Sequence, residues 1–308
     1  MIFTVSESQE GVLLLSFLRG TCGVSGRLLT RLKQTENGIT VNGEHVTVRK
    51  RLHAGDLVEI AEKDPASQDV FPPEPLPVRI LYEDDTVLLV SKPPLMPTHP
   101  SRRHYTGTLG NALSHLFAER GQAFSFRPAN RLDRNTSGIV LLAKDQWTAC
   151  RLCEDMKAHR IRKTYFALTD GVPALSSGRM DGWIRRKTPG IVLRELCSED
   201  AEGAESVRTS YDVRARGNGH ARIRLQPETG RTHQLRVQLA GEGCPVTGDG
   251  LYGTDSPLIS RQALHAGVLE WRHPSSGEWH RTEDPIPEDM ASLCRLWFGG
   301  REFPVSDF

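Results

Sequence analysis

The 308-residue chain contains little cysteine and no long hydrophobic segment. Six cysteines are too few for a small disulfide-stabilised scaffold, so we expect a reducing compartment, the cytoplasm. No apolar run approaches the roughly 20 residues that a membrane-spanning helix requires. Basic residues do not precede the first hydrophobic stretch, as they would in a secretory signal. The sequence therefore predicts a protein with neither a membrane segment nor a secretory signal.

Motifs for nucleoside triphosphates and for metal ions are also missing. The chain contains no Gly-x4-Gly-Lys-Ser/Thr loop, and Cys150-x-x-Cys153 has no second pair at metal-ligand spacing, so we interpret the two thiols as core residues. Gly248-Asp-Gly-Leu-Tyr-Gly253 matches the letters of the dinucleotide fingerprint, but it follows Cys244-Pro245 rather than a buried strand. A glycine-rich surface turn explains these residues better. The alternative that the chain is a nicotinamide-dependent enzyme has no other support in the sequence than this stretch.

Basic residues are concentrated in two stretches, although the formal net charge is only +1. Residues 86–144 contain eight basic and two acidic side chains, and residues 156–169 contain four basic side chains and no acid. A single charged stretch can simply be a solvated face. Because these two stretches flank the isolated acid Asp133, they favour an anionic substrate, and nucleic acid is the commonest large anion.

A proline-rich stretch divides the chain. Residues 63–78 contain five prolines, which predicts a stiff, extended linker with few contacts across it. The preceding residues 1–62 form a small α/β module: a helix over residues 26–33 with Ser25 as N-cap, a tight hairpin at Asn42-Gly43 and a strand over residues 57–60. Residues 79–308 mix strands and helices without a regular βαβ repeat, which predicts an α+β fold.

One short motif carries the strongest chemical signal. In Asn130-Arg-Leu-Asp-Arg-Asn-Thr-Ser-Gly138, Asp133 is flanked by two arginines and stands just before an apolar strand. Neighbouring cations favour the ionised carboxylate, which can act as a nucleophile or a base. An Asx-type turn closed by ion pairs would also explain the pattern. An aspartyl-phosphate site would need a second acid at position 135, where the chain has Asn.

This motif resembles the Arg-Leu-Asp motif of RluA-type pseudouridine synthases. Three further stretches resemble that family in the same order, and together they extend over residues 79–274: Ile80-Leu-Tyr-Glu-Asp-Asp-Thr-Val-Leu-Leu-Val-Ser-Lys-Pro93 with Thr98-His-Pro100, then Lys163-Thr-Tyr-Phe-Ala-Leu168, then Glu228-Thr-Gly-Arg-Thr-His-Gln-Leu-Arg-Val237 with the Gly248–Gly253 turn. The first 60 residues resemble an S4 RNA-binding module. The chain departs from the family at Asn130, where many members have His, and at Pro94-Leu95, where a Gly often follows the Lys-Pro.

The resemblance implies a catalytic domain with a mixed, largely antiparallel sheet and an isomerase that needs neither cofactor nor metal. Asp133 would attack the target uridine, whose N-glycosidic bond breaks before the uracil turns and rejoins through C5. Tyr165 would stack on the base, and Arg231 would pair with Asp133. Arg131 would fill the space that the flipped nucleotide leaves, and Leu235 would pack against the base.

The implied partner is RNA, with ribosomal RNA favoured over transfer RNA because an S4-like module adds contact area on a large structured RNA. We expect a monomer. A transfer-RNA-specific synthase and a non-catalytic S4-type RNA-binding protein are the alternatives. Asp133, Tyr165 and Arg231 are all present, which argues against a pure binder, since RNA binding needs a basic surface but no such carboxylate.

Overall fold

The computed structural model describes residues 1–61, 71–100, 105–188 and 190–299. Within these ranges the chain forms a four-stranded sheet near the N-terminus and a separate ten-stranded sheet. In the larger sheet one pair of strands, Ser137–Ala143 and Leu264–Arg272, is parallel, and the other pairs are antiparallel. The predicted α+β class with a mixed, largely antiparallel sheet is therefore confirmed. None of the helices in these ranges is long and apolar enough to cross a membrane.

The N-terminal unit consists of four strands and two helices, in the order β1 (Ile2–Thr4), α1 (Leu14–Gly20), α2 (Gly26–Leu32), β2 (Ile39–Val41), β3 (Glu44–His45) and β4 (Leu57–Ile60). Ser25 caps α2, because its side chain accepts a hydrogen bond from the amide of Leu28 at 3.2 Å. Asn42 and Gly43 both have positive φ, as a two-residue hairpin turn requires. The predicted helix and hairpin are both present.

The second unit carries the larger sheet. Its strands are β5 (Arg79–Glu83), β6 (Val87–Lys92), β7 (Ser137–Ala143), β8 (Arg162–Asp170), β9 (Ser177–Arg186), β10 (Arg194–Cys197), β11 (Glu205–Gly217), β12 (His220–Pro227), β13 (Leu264–Arg272) and β14 (Trp279–Glu283). Their order in the sheet of this unit is β10-β9-β11-β12-β8-β13-β7-β6-β5, with β14 paired to β13. Its helices are α3 (Leu109–Glu119), α4 (Gln146–Lys157), α5 (Gln234–Gly241) and α6 (Glu288–Phe298). β7 lies inside this sheet and all seven of its residues are buried, so it forms a rigid base for the loop before it.

The proline-rich segment does not act as a free spacer over its described part. The ring of Phe71 packs edge-on against that of Phe126, with centroids 5.7 Å apart, and the side chain of Asn111 donates a hydrogen bond to the carbonyl of Pro72 at 2.9 Å. Residues 71–78 therefore pack against α3 and its neighbours. Residues 63–70, the remainder of the predicted linker, lie outside the described residues, as do Arg102 and Arg103 of the basic stretch.

The N-terminal unit rests on α4, so the expectation of few contacts between the two units is wrong. Trp147 packs against the core of the N-terminal unit, and its indole N–H donates to the carbonyl of Cys22. Arg31 donates to Gln146 at 3.1 Å, again across the boundary. A large aromatic side chain on the surface of the second unit is thus covered by the first.

Candidate active site

The loop that carries Asp133 is tied to β7 by the side chain of Asn130. This buried amide donates to the carbonyl of Ile139 at 3.0 Å and accepts from the amide of Leu141 at 2.9 Å. At the start of β7, Gly138 has φ +120°, and a Cβ there would lie 2.3 Å from the carbonyl oxygen of Ala266. Asn130 and Gly138 therefore hold the loop closely against the sheet.

A cleft of about 850 Å³ opens above this loop. The five side chains predicted for the site all line it: Asp133, Tyr165, Arg231, Arg131 and Leu235. They come from different parts of the chain, since Tyr165 lies on β8 and Leu235 on α5. Five further basic side chains line the cleft, and they are Arg134, Lys163, Arg186, Arg194 and Arg236. The predicted combination of one central carboxylate and many cations is therefore present.

The partner of Asp133 differs from the prediction. Arg236 donates from Nη1 to Oδ2 of Asp133 at 3.1 Å, whereas Arg231 forms an ion pair with Glu205 at 3.2 Å. The predicted pairing of Arg231 with Asp133 is wrong in this structure. The reason is the start of α5: the side chain of Gln234 accepts from the amide of Arg231 at 3.0 Å and holds it in a turn, while Arg236 lies on the helix with a 5% exposed side chain.

Arg236 is itself held by a second carboxylate. Its Nε and Nη2 atoms donate to the two oxygens of Asp249 at 2.6 and 2.7 Å, and the Asp249 side chain is 1% exposed. The ring of Tyr252 lies 5.1 Å from the guanidinium carbon. Although burial alone would lower the pKa of Arg236, Asp249 and Asp133 raise it. The charge beside Asp133 is therefore permanent and rigidly placed.

Asp249 and Tyr252 belong to the turn of residues 248–253, which was predicted as a glycine-rich surface turn and which is part of the resemblance to the family; Asp249 is nevertheless buried. Neither residue was predicted to contribute to the site, nor were Arg236 and His233. Their signal in the sequence was an acid, a tyrosine, an arginine and a histidine within the stretches that resemble the family. His233 lies with Nε2 3.9 Å from Oδ2 of Asp133.

Tyr165 carries a phenol that stays neutral. Burial raises the pKa of Tyr165 above its ordinary value, and the negative charge of Asp133 adds to the effect. Lys163 lies two residues earlier on β8, and burial lowers its pKa. A neutral aromatic ring beside the carboxylate suits stacking on a planar base.

Lys92, at the end of β6, holds the loops on the other side of Asp133. Its ammonium donates to the carbonyls of Pro93, Met96 and Arg134 at 2.8, 2.8 and 3.1 Å, and the residue is fully buried. Burial lowers the pKa of Lys92 to about 7, and the charge of Arg261 acts in the same direction. Three carbonyl acceptors match the three N–H groups of the ammonium form. Lys92 thus joins the loop after β6 to the loop of Asp133.

Metal ligation has no candidate in the part of the chain that the structure describes, where no group of three or more His, Cys, Asp or Glu side chains could hold an ion. Of the Cys-x-x-Cys pair, Cys150 packs against the N-terminal unit and its thiol lies 3.3 Å from the hydroxyl of Ser25. Cys153 is exposed, so the interpretation of both thiols as core residues holds only for Cys150.

Comparison with known proteins gives the class to which this fold and cleft belong. The model of the RNA pseudouridylate synthase family matches residues 86–241. An uncharacterised RNA pseudouridine synthase of Bacillus subtilis, YjbO, is 36% identical over 90% of this chain and 96% of its own length. The ribosomal large subunit pseudouridine synthase D of Xanthomonas campestris is 35% identical over 82% of this chain and 79% of its own length. The solved structure of human RNA pseudouridylate synthase domain containing 4 superposes with a TM-score of 0.58, at 26% identity, over 71% of this chain and 92% of that chain.

The chain belongs to the RNA pseudouridylate synthase family. More specifically, it is an RluA-type RNA pseudouridine synthase, an isomerase that converts uridine in RNA to pseudouridine. The predicted enzyme class is confirmed.

Proposed function

We propose that this enzyme isomerises uridines of ribosomal RNA with Asp133 as the attacking carboxylate and without a cofactor. The observation that carries the proposal is the arrangement of Asp133 in the cleft. The guanidinium of Arg236 and the imidazole of His233 both lie near the same oxygen of Asp133, Oδ2. Among the described residues, none donates a hydrogen bond to Oδ1. One oxygen is therefore anchored while the other is available to the uridine.

The residues of the cleft suit the steps of the reaction. Asp133 attacks the target nucleotide and the N-glycosidic bond breaks, so the carboxylate must be correctly aimed, and the buried Arg236 holds it in place. The released uracil then turns and rejoins the sugar through C5, and the bond between the sugar and the Asp133 carboxylate breaks in the same step. C5 loses its proton and N1 gains one, so the product is an isomer of the starting uridine. Tyr165 offers a ring to the uracil on one side, and the buried Leu235 offers an apolar surface. The base is thereby held within the cleft while it is detached.

The exposed basic side chains suit the RNA backbone. Arg131 lies at the cleft and is exposed, so its planar guanidinium can stack in the space that a flipped nucleotide leaves. Arg231 has a 43% exposed side chain, and we assign it a contact with phosphate instead of the role beside Asp133. The Glu205 carboxylate would hold Arg231 in place until RNA binds.

Two observations favour ribosomal RNA as the substrate over transfer RNA. Several curated relatives are named ribosomal large subunit pseudouridine synthase D, among them those of Xanthomonas campestris and Pseudomonas aeruginosa. The N-terminal unit, which we interpret as an S4-like RNA-binding module, extends the protein beyond the cleft and adds surface for a large structured RNA. Mapping pseudouridines in a strain that lacks the gene tests the target, and loss of a modification from transfer RNA alone would contradict it.

The test of the carboxylate is Asp133→Asn, which keeps the size of the side chain and removes its charge and nucleophilicity. We expect pseudouridine formation to be lost, with RNA binding retained. Asp200→Asn, the same change in an exposed turn, is the control and should leave the rate unchanged. Activity of Asp133→Asn within about tenfold of wild type would falsify the assignment, since loss of a nucleophile costs far more than one hydrogen bond.

A further inference from the structure

His233 occupies an unusual position beside Asp133. It is the residue immediately before α5, and its backbone is left-handed, with φ 59° and ψ 13°. A non-glycine residue rarely adopts this conformation, which persists where the surrounding structure holds it. The side chain is only 8% exposed, and its Nε2 lies 3.9 Å from Oδ2 of Asp133. The imidazole of His233 is therefore placed next to the carboxylate of Asp133 by a strained backbone conformation.

The hydrogen bonds of Tyr252 determine which imidazole nitrogen carries the proton. The backbone amide of Arg194 donates to the phenol oxygen of Tyr252 at 2.9 Å. The same oxygen lies 2.8 Å from Nδ1 of His233. The amide of Arg194 can only donate, so it cannot accept the hydroxyl hydrogen of Tyr252. Since a half-buried hydroxyl hydrogen without an acceptor costs free energy, this hydrogen is donated to Nδ1 of His233. Nδ1 is then the acceptor, and the proton of the neutral ring lies on Nε2, facing Asp133.

The charge state of His233 agrees with this assignment. Burial lowers the pKa of His233, and the negative charge of Asp133 only partly opposes that shift. The ring also packs edge-on against Tyr252, with centroids 5.6 Å apart, and the Tyr252 ring lies against the guanidinium of Arg236. Tyr252 therefore contacts both groups that approach Oδ2 of Asp133.

We propose that His233 is a positioning residue: Tyr252 holds its imidazole so that Nε2–H is directed at Oδ2 of Asp133 and, together with Arg236, fixes the carboxylate with Oδ1 turned towards the uridine. This inference rests on the proposed role of Asp133 as the catalytic carboxylate. At 3.9 Å the contact is too long for a hydrogen bond, and such contacts often tighten when the substrate binds.

The arrangement also connects the carboxylate to the wall of the cleft. Arg194 begins β10, and the β9–β10 hairpin contributes the side chains of Arg186 and Arg194 to the cleft lining. The backbone of this hairpin is the group that orients the Tyr252 phenol. Displacement of the hairpin from α5 would therefore also release the imidazole.

Two substitutions of His233 separate a positioning role from a purely structural one. Asn tolerates the left-handed backbone better than Gln does, so a structural role predicts that His233→Asn is the more stable and the more active variant. Gln reaches about as far as Nε2 and restores an N–H near Asp133, whereas the shorter Asn does not. We expect His233→Gln to retain about tenfold more single-turnover activity than His233→Asn, despite a lower melting temperature, with equal Kd for RNA. Activities that follow the melting temperatures would overturn the proposal.

Tyr252→Phe tests the hydrogen bond itself, because it removes the hydroxyl and keeps the ring against Arg236. We expect the single-turnover rate to fall about tenfold, equivalent to about 1.4 kcal/mol, without a change in the Kd for RNA. Tyr82→Phe is the matched control, since it also removes one phenol hydrogen bond, to Asp84 at 2.8 Å, but outside the cleft. A Tyr252→Phe rate equal to that of the control would refute the role of the phenol.

The tautomer can be observed without catalysis. Nitrogen-15 spectra of the histidine side chains, with His233 assigned from its absence in His233→Asn, should show a neutral ring protonated at Nε2 near pH 7.5. Tyr252→Phe should shift this signal towards the mixed tautomers of a free imidazole. A ring protonated at Nδ1 in the wild type would overturn the inference. The spectra do not depend on catalysis by Asp133, so a wrong tautomer would refute only the role of His233. Retained activity in Asp133→Asn would instead refute the proposed function.

Discussion

Arg236 has two partners with different consequences, and they can be separated by substitution. Its fork binds Asp249, whose side chain is 1% exposed, and its remaining nitrogen binds Asp133 in the cleft. Arg236→Met leaves the Asp249 carboxylate buried and uncompensated. Removing one partner of a buried pair costs about 3–5 kcal/mol, a large part of the stability of an ordinary domain. We expect this loss in the free energy of unfolding, together with loss of pseudouridine formation.

The second substitution removes the stranded charge. Asp249→Asn neutralises the carboxylate and keeps an oxygen for the amide of Leu251, which donates to Asp249 at 3.1 Å. In the Arg236→Met/Asp249→Asn double variant we expect about 2 kcal/mol of stability to return, because neighbouring residues of one network couple by about that amount. Activity should not return with it, since Asp133 still lacks its cation. Stability and catalysis are thus expected to respond differently to the same pair of changes.

The assays are urea denaturation and single-turnover pseudouridine formation on the same preparations. Arg281→Met is the control, because it breaks an exposed pair with Glu283 and should change stability by less than about 1 kcal/mol. Recovery of both stability and activity in the double variant would show that Arg236 serves only the fold. A single variant as stable as wild type would show that the buried pair makes no net contribution.

Three further predictions concern the substrate, the loops and the N-terminal unit. Arg131→Ala should slow single-turnover modification of a folded stem-loop much more than that of an unstacked single strand, and equal slowing on both would contradict a role in base flipping. The free energy of unfolding of the wild type, relative to that of Lys92→Met, should increase with pH between about 7 and 9. In this window Lys92 is protonated in the unfolded state and loses its proton in the folded state, because its pKa is lowered to about 7 on folding. Urea titrations in which this difference stays flat or falls with pH would refute the prediction. Deletion of residues 1–62 should leave a folded catalytic unit whose RNA binding is weaker and less salt-dependent, because phosphate contacts are lost. Its melting temperature should also be lower, because Trp147 on α4 becomes exposed. An unchanged melting temperature would mean that the contact between the N-terminal unit and α4 does not stabilise the fold.

Local structure was predictable because short-range chemistry determines it. Ser25 caps α2 and Asn42-Gly43 forms the hairpin turn, both through interactions among residues close in the chain. The Asp133 loop was recognisable for the same reason, as a carboxylate between arginines before an apolar strand. The extent of the linker was not predictable, because Phe71 packs against Phe126, and no periodicity in a proline-rich segment indicates such a contact.

The sequence by itself determined the α+β class, the enzyme family and five of the side chains that line the cleft. It did not determine which arginine neutralises Asp133, because Arg231 and Arg236 belong to one motif and both carry a permanent charge. That choice depends on where α5 begins, and the side chain of Gln234 sets it by holding Arg231 in the preceding turn. Only the tertiary structure brings the buried Asp249 to the guanidinium of Arg236, since the strength of a buried ion pair depends on burial and geometry, and neither is encoded in local sequence.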